Sequence, residues 1–175
     1  MKHIDAAVKL CDEGNGKISF PAVTLFSDTD RIYFSKGEEN EDLPEIILSD
    51  DGIAVPFGES FAVCMCKKGK TPEFDENIYN LFIKQSIRFG TIYGSVLVRC
   101  RREGDLIFSG KKHKKLKKLL CDHKIPLRIR NSLPVFCDDN GILWVPSVAL
   151  RDNTADKNGD VTLYLFTLKE NSYNE

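Results

Sequence analysis

Residues Leu133–Leu150 read LPVFCDDNGILWVPSVAL, two apolar runs around Asp138-Asp139-Asn140-Gly141. Asn-Gly supplies the positive-φ pair that a tight hairpin turn needs, so the stretch predicts an antiparallel β-hairpin. Similar signals recur on both sides. VTLYLFTL (Val161–Leu168) reads as a strand. In VLVRCR, Val96, Val98 and Cys100 alternate with Leu97, Arg99 and Arg101, which predicts a strand projecting both arginines from one face. Upstream, KISFP, VTLFSDTDRIYF and PEIILSDDGIAVPFGESFAVCMC are short β-branched and aromatic runs. The turn signals SDTD, SDDG and PFGE divide them, and they read as hairpins. NIYNLFIKQSI follows, and a polar tail after Leu168 is expected to fray. Trp144 sits in a strand and is expected in the core.

Two segments have helical spacing. Ile4, Ala7, Val8 and Cys11 share one face of a helix that EGNG (Glu13–Gly16) ends. In SGKKHKKLKKLLCDHKIP (Ser109–Pro126), Leu116, Leu119 and Leu120 form an apolar stripe with Ile125 close behind. Lysines cover the rest, His113 and His123 fall on the same basic helix, and Pro126 stops it. The expected fold is α+β: antiparallel and β-rich, with the basic helix packed on a sheet.

The chain has 175 residues, 42% hydrophobic and 29% charged, enough to bury a core without metals or disulfides. No apolar run is long enough to span a bilayer, and the N-terminus lacks a secretory h-region. The six cysteines form no CxxC pair and lack histidines at zinc spacing. They read as reduced thiols, which points to a cytoplasmic location. Cys64 and Cys66, two apart in a strand, should face one side.

Net charge is −1, but it is segregated. Between Arg88 and Arg130, thirteen Lys/Arg face three acids, a local charge of +10 that leaves −11 on the rest. A basic block in an acidic chain points to a polyanion partner. A solvated surface helix, a membrane-surface helix and a nuclear-localisation run are the competing readings. The narrow stripe without aromatics argues against a membrane. The acidic stretch Gly37–Glu45 reads as a solvated loop without metal-ligand spacing. GDLIFSGKK (Gly104–Lys112) fails as a P-loop, because five residues separate its glycines and Lys112 stands where a magnesium-holding hydroxyl belongs. Neither GxSxG nor HExxH occurs, and no complete catalytic or metal site is apparent. An RRM-type aromatic signature and a KH-type GxxG loop are missing too, so base stacking is not suggested. Duplex RNA, read by shape and backbone, suits a spread basic surface.

VRCRREGD, KKLKKLLCDHKIPLRIRNSLPVF and GILWVP occur in that order. This series resembles the C-terminal region of bacterial tRNA(Ile)-lysidine synthases, with their R-x-R-x-x-G-D, K-x-L-K-K-L, K-I-P-x-x-x-R-x-x-x-P-V and I-L-W-V-P motifs. KHIDAAVKLCDEGNGKISFP and DRIYF are similar to the family's junction between middle and C-terminal domains. The resemblance implies residues 1–16 as the end of the middle, substrate-binding domain and 17–175 as a tRNA-recognition domain. It also implies that the family's N-terminal PP-loop catalytic domain, with its ATP and magnesium, lies outside this chain. Met1 directly before KHIDA then reads as the start of an excised or stand-alone recognition half.

The implied function is gripping the acceptor-stem side of tRNA(Ile) with a CAU anticodon, so that the catalytic domain can convert the wobble cytidine to lysidine. No catalysis, cofactor or metal is expected in this chain. The expected phosphate contacts are Arg99, Arg101, Arg102, Lys111, Lys112, Lys114, Lys115, Lys118, Arg128 and Arg130. Some of these have a structural alternative, with Arg99 or Arg101 pairing with Asp105. Gly104 and Asp105 are expected to make the turn that presents them. Two departures stand out: Ser147 occupies the position where the family has glycine, so that turn is expected to differ, and Leu106 replaces a basic residue. The alternative function is a protein-interaction or homodimerisation module, with the basic helix meeting the acidic loop of a second copy.

Overall fold

A computed structural model describes residues 2–13, 16–20, 23–28, 31–35 and 43–169, but not the side chains at 2, 3, 11, 13, 26, 28, 31, 33, 35 and 128. The acidic run 37–42, residues 14–15 of the EGNG stop, the tip of the SDTD turn and the tail 170–175 lie outside these residues.

Helix α1 (Lys2–Glu13) packs on a three-stranded antiparallel sheet of β1 (Gly16–Phe20), β2 (Val23–Asp28) and β3 (Arg31–Ser35). The helix forms where expected but buries Leu10, whereas Ile4 and Val8 of the expected apolar face are exposed. Leu10 lies so close to Gly16 that a Cβ there would sit 2.6 Å from its Cδ1. The expected domain boundary after residue 16 would fall inside β1, after its first residue, and α1 and β1 touch.

Next come β4 (Ile46–Ile47), β5 (Val55–Phe57), β6 (Phe61–Lys67), β7 (Tyr79–Ile87) and β8 (Leu97–Arg99). A hairpin follows, β9 (Leu106–Phe108) and β10 (His113–Lys115), then α2 (Leu116–Asp122). The chain ends in β11 (Val135–Asp138), β12 (Gly141–Val145), β13 (Ala149–Leu150) and β14 (Val161–Leu168). Two larger antiparallel sheets result, ordered β13-β12-β11-β8-β4 and β5-β6-β14-β7. Val98, Phe136, Leu143 and Trp144 from the first meet Val63, Ile87, Leu163 and Leu165 from the second in one core. Trp144 is a core residue, its ring 4.8 Å from that of Phe136.

The β11–β12 hairpin turns through Asp139 and Asn140, and Gly141, at φ 108°, opens β12 opposite Asp138 rather than sitting in the turn as the second half of an Asn-Gly pair. Its register passes from Phe136↔Trp144 to Cys137↔Ile142, skipping Leu143. This bulge lets the consecutive residues Leu143 and Trp144 both join the inter-sheet core. SDDG is not a hairpin turn: β4 pairs with β8 and β5 with β6, so this segment carries the chain from one sheet to the other. Cys64 and Cys66 do share a face, buried on the outer side of β6 with Phe166. Burial raises both thiols above the ordinary range and lifts Cys137 to about 11. Buried and protonated, all three pack as small apolar groups. No described helix is long and apolar enough to cross a membrane.

Candidate nucleic-acid interface

The lysine segment is not one helix. His113, Lys114 and Lys115 form β10, and α2 begins only at Leu116. Phe108, Ile107 and Leu106 pair with His113, Lys114 and Lys115. Gly110 (φ 64°) and Lys111 (φ 62°) form the tip, and the Ser109 N–H donates to the Lys112 carbonyl at 2.9 Å. Two successive positive-φ residues give the tip the backbone of a primed hairpin turn, although Lys111 is not a residue that favours it. Asp152 compensates. Its Oδ1 accepts from the Gly110 N–H at 3.0 Å and its Oδ2 from the Lys111 N–H at 2.6 Å. Those two donors, Lys111 first, hold the Asp152 carboxyl below the ordinary carboxylate range. The Asp152 N–H in turn donates to the Phe108 carbonyl at 3.0 Å, so the turn after β13 holds the hairpin both at its tip and at the end of β9.

Helix α2 has seven residues and no side-chain N-cap, too short to stand alone. Leu116 and Leu120 anchor it, both fully buried with Ile107, Val135, Cys137 and Val145 on the outer face of the five-stranded sheet. Such burial contributes about 1.5–3 kcal/mol per side chain. Its C-terminal end closes through Lys124 in the left-handed region (φ 53°), with the Ile125 N–H on the Leu120 carbonyl.

The arginines and lysines part company here. Arg99 clamps Asp105 with two bonds of 2.8 and 3.0 Å and also donates to the Cys100 carbonyl. Both side chains are nearly buried, 12% and 10% exposed. Burial pushes the Asp105 carboxyl up, but Arg99 and the Arg102 N–H outweigh it and leave the group below its ordinary range. Arg99 is therefore an internal strut, not a surface cation. Arg101 donates to Asn131 Oδ1 at 3.0 Å, and its Nε is buried without a protein partner. Arg130 straps the end of α2, with Nε on the Ile125 carbonyl at 2.7 Å and a second nitrogen 3.1 Å from Cys121 Sγ. Arg102 is exposed and pairs with Glu45 at 2.6 Å. The Arg128 side chain lies outside the described residues. Gly104, at φ 83°, and Asp105 form the turn after β8.

The lysines face outward. Lys111, Lys112, Lys115 and Lys118 are exposed, while Lys114 is half-buried beside Gly110. Lys117 and Lys124, not singled out from sequence, are equally exposed. Hairpin and helix thus make one lysine-studded layer outside the five-stranded sheet. Sequence reasoning also missed the pair beneath it. Arg151 and Asp138 are buried and joined by bonds of 2.7 and 2.6 Å, and the Tyr93 and Asn140 N–H groups complete the carboxylate's shell. The only sequence signal for Asp138 is its place just before the Asp139-Asn140 turn.

Residues 96–165 match the family model described as TilS substrate C-terminal domain. The chain is 31% identical over 90 residues to the tRNA(Ile)-lysidine synthase of Streptococcus sanguinis, spanning 51% of this chain and 20% of that protein. To the synthase of Clostridioides difficile it is 35% identical over 65 residues, 37% of this chain and 14% of the relative. The chain thus spans a fifth or less of these relatives. A solved structure described as the crystal structure of a TILS C-terminal domain superimposes with a TM-score of 0.52 at 21% identity, covering 74% of this chain and all of that one. That likeness shows a shared fold: antiparallel sheets with helices packed on them. The matched stretch, residues 96–165, includes the lysine layer and its supporting strands, so the similarity to the domain described as TilS substrate C-terminal domain falls on this part of the chain.

Proposed function

We propose that this chain binds tRNA(Ile), laying the lysine layer of β9, β10 and α2 along the phosphates of the acceptor-stem side. A PP-loop domain of the same enzyme then makes lysidine at the wobble cytidine with ATP and magnesium, in the cytoplasm. In this reading the chain itself performs no catalysis. The observation that carries it is the outward lysine set on a rigidly tethered hairpin and helix. Most of the arginines first expected to join it are committed to internal bonds. Phosphate contact therefore rests on Lys111, Lys112, Lys115, Lys117 and Lys118, with Arg102 after release from Glu45. For the homodimer alternative, Glu45 at the end of the acidic stretch pairs with Arg102 of the same chain, and residues 37–42 lie outside the described residues.

The test is a salt titration of binding to CAU-anticodon isoleucine tRNA and to its acceptor-stem minihelix. Log affinity should fall linearly with log salt, by roughly 0.7–0.9 per phosphate neutralised. The double variant Lys112→Glu with Lys118→Glu should flatten that slope by about two and weaken both RNAs alike. A salt-independent affinity, or an unchanged slope in the variant, would refute the proposal.

A further inference from the structure

Beside the lysine layer lies a cleft of about 340 Å³, within the ~300–1,000 Å³ range of small-ligand sites. Its walls come from four separate segments: Tyr93, then Leu106, Phe108 and His113 on the hairpin, then Asn140 and Asn153 from the turns that follow β11 and β13. Tyr93 is 56% exposed and Phe108 36% exposed. The Phe108 and His113 rings meet edge to face at 5.2 Å. The Arg151 guanidinium lies 5.6 Å from the Tyr93 ring centre, and its bonds to Asp138 fix that floor. His113 and Lys115 share one face of β10, and Lys111 and Lys112 stand at the hairpin tip. The carboxylates at the cleft are already engaged: Asp152 by two backbone N–H groups, and Asp138, beneath it, by Arg151.

Exposed aromatic faces, side-chain amides and a cationic rim make up the chemistry that holds an unstacked base and its phosphate. A peptide side chain would use the rings but leave the lysines and amides without a role. We infer that this cleft takes an unpaired nucleobase from a single-stranded end of the RNA whose duplex meets the lysine layer. Tyr93 and Phe108 supply the stacking faces, and Asn140 and Asn153 supply the edge-reading amides. The inference rests on the RNA-binding reading above and adds a contact that duplex electrostatics does not provide.

The experiment compares a blunt RNA hairpin with the same hairpin carrying a single-stranded 3′ or 5′ extension, for the unaltered chain, Tyr93→Leu and Tyr93→Phe. In parallel, AMP and CMP are titrated against the aromatic NMR signals of Tyr93 and His113. One of the extended hairpins should bind roughly 5- to 100-fold tighter than the blunt one, as stacking of a base or two gives. Which end it is identifies the strand. Tyr93→Leu should abolish that advantage while leaving blunt binding unchanged, and Tyr93→Phe should keep it. Equal affinity for all three RNAs, or aromatic signals that stay still with both nucleotides, overturns the inference. Signals that move with protein concentration and not with nucleotide would place a second copy of the chain in the cleft, and overturn it too. If blunt RNA fails to bind at low salt, the parent reading falls, while the nucleotide titration still decides the cleft.

Discussion

Ser147 shows how one side chain can work against its own backbone. The Val148 N–H closes on the Val145 carbonyl at 3.0 Å, with Pro146 and Ser147 as the two central residues and Ser147 at φ 59°. This is the turn in which proline sets the first position and glycine suits the second. The expected change of turn does not occur: serine is held in the left-handed region, which costs an L-residue about 1–2 kcal/mol. Glycine loses more freedom on folding, about 0.5–1 kcal/mol. Ser147→Gly should therefore stabilise by about 0.5–1 kcal/mol and raise Tm by about 1–4 °C. Thermal denaturation followed by circular dichroism checks this, and a lower Tm would show that the serine side chain has a compensating role. Arg99 is legible at this scale only in part. Its spacing to Asp105 allows a pair, but the same guanidinium on a free strand end would read equally well as a phosphate ligand. Arg101 and Arg130 find their partners 30 and 5 residues away, at Asn131 and the Ile125 carbonyl, contacts that only the packed fold creates.

Among the elements, the β9–β10 hairpin is the one the sequence conceals. LKKLL has helical spacing, and extending that pattern backwards over HKK absorbs three residues that pair instead with LIF. HKK has no β-branched residue to betray a strand, and Gly-Lys is a weak turn signal because its second residue disfavours positive φ. The tether that rescues the turn, Asp152, is 41 residues from Lys111. The hairpin around Asp139-Asn140 and the strand at Val161–Leu168 are plain because local chemistry and tertiary packing agree there. The tether makes a prediction at its own scale. Asp152→Ala should leave the sheets intact but speed amide hydrogen exchange at Gly110 and Lys111, the two N–H groups it releases to water. Exchange rates unchanged at those amides would mean that the turn holds itself.

For the molecule as a whole, the Arg99–Asp105 clamp links stability to pH. The Asp105 carboxyl is held below its ordinary value in the fold, so the unfolded chain binds the proton more readily. The stabilisation is complete above the unfolded pKa of about 3.9 and is lost as pH falls through the folded value. Tm should thus drop below about pH 4. Asp105→Asn should start lower, because Arg99 is left buried without a counter-charge, and should show a shallower acid decline. Parallel acid slopes in the two proteins would count against the clamp as a source of that decline. The strand order has a consequence of a different kind. β14 lies between β6 and β7, and its Thr167 pairs with Phe61 across more than a hundred residues. Until the ribosome has delivered residue 168, β6 lacks β14 beside it, and one edge of its six consecutive buried residues stays unpaired. Closure is therefore a late, long-range event, slow by the standards of local hairpins. While the nascent chain waits, FAVCMC is an open edge, ready to pair with another chain until β14 arrives.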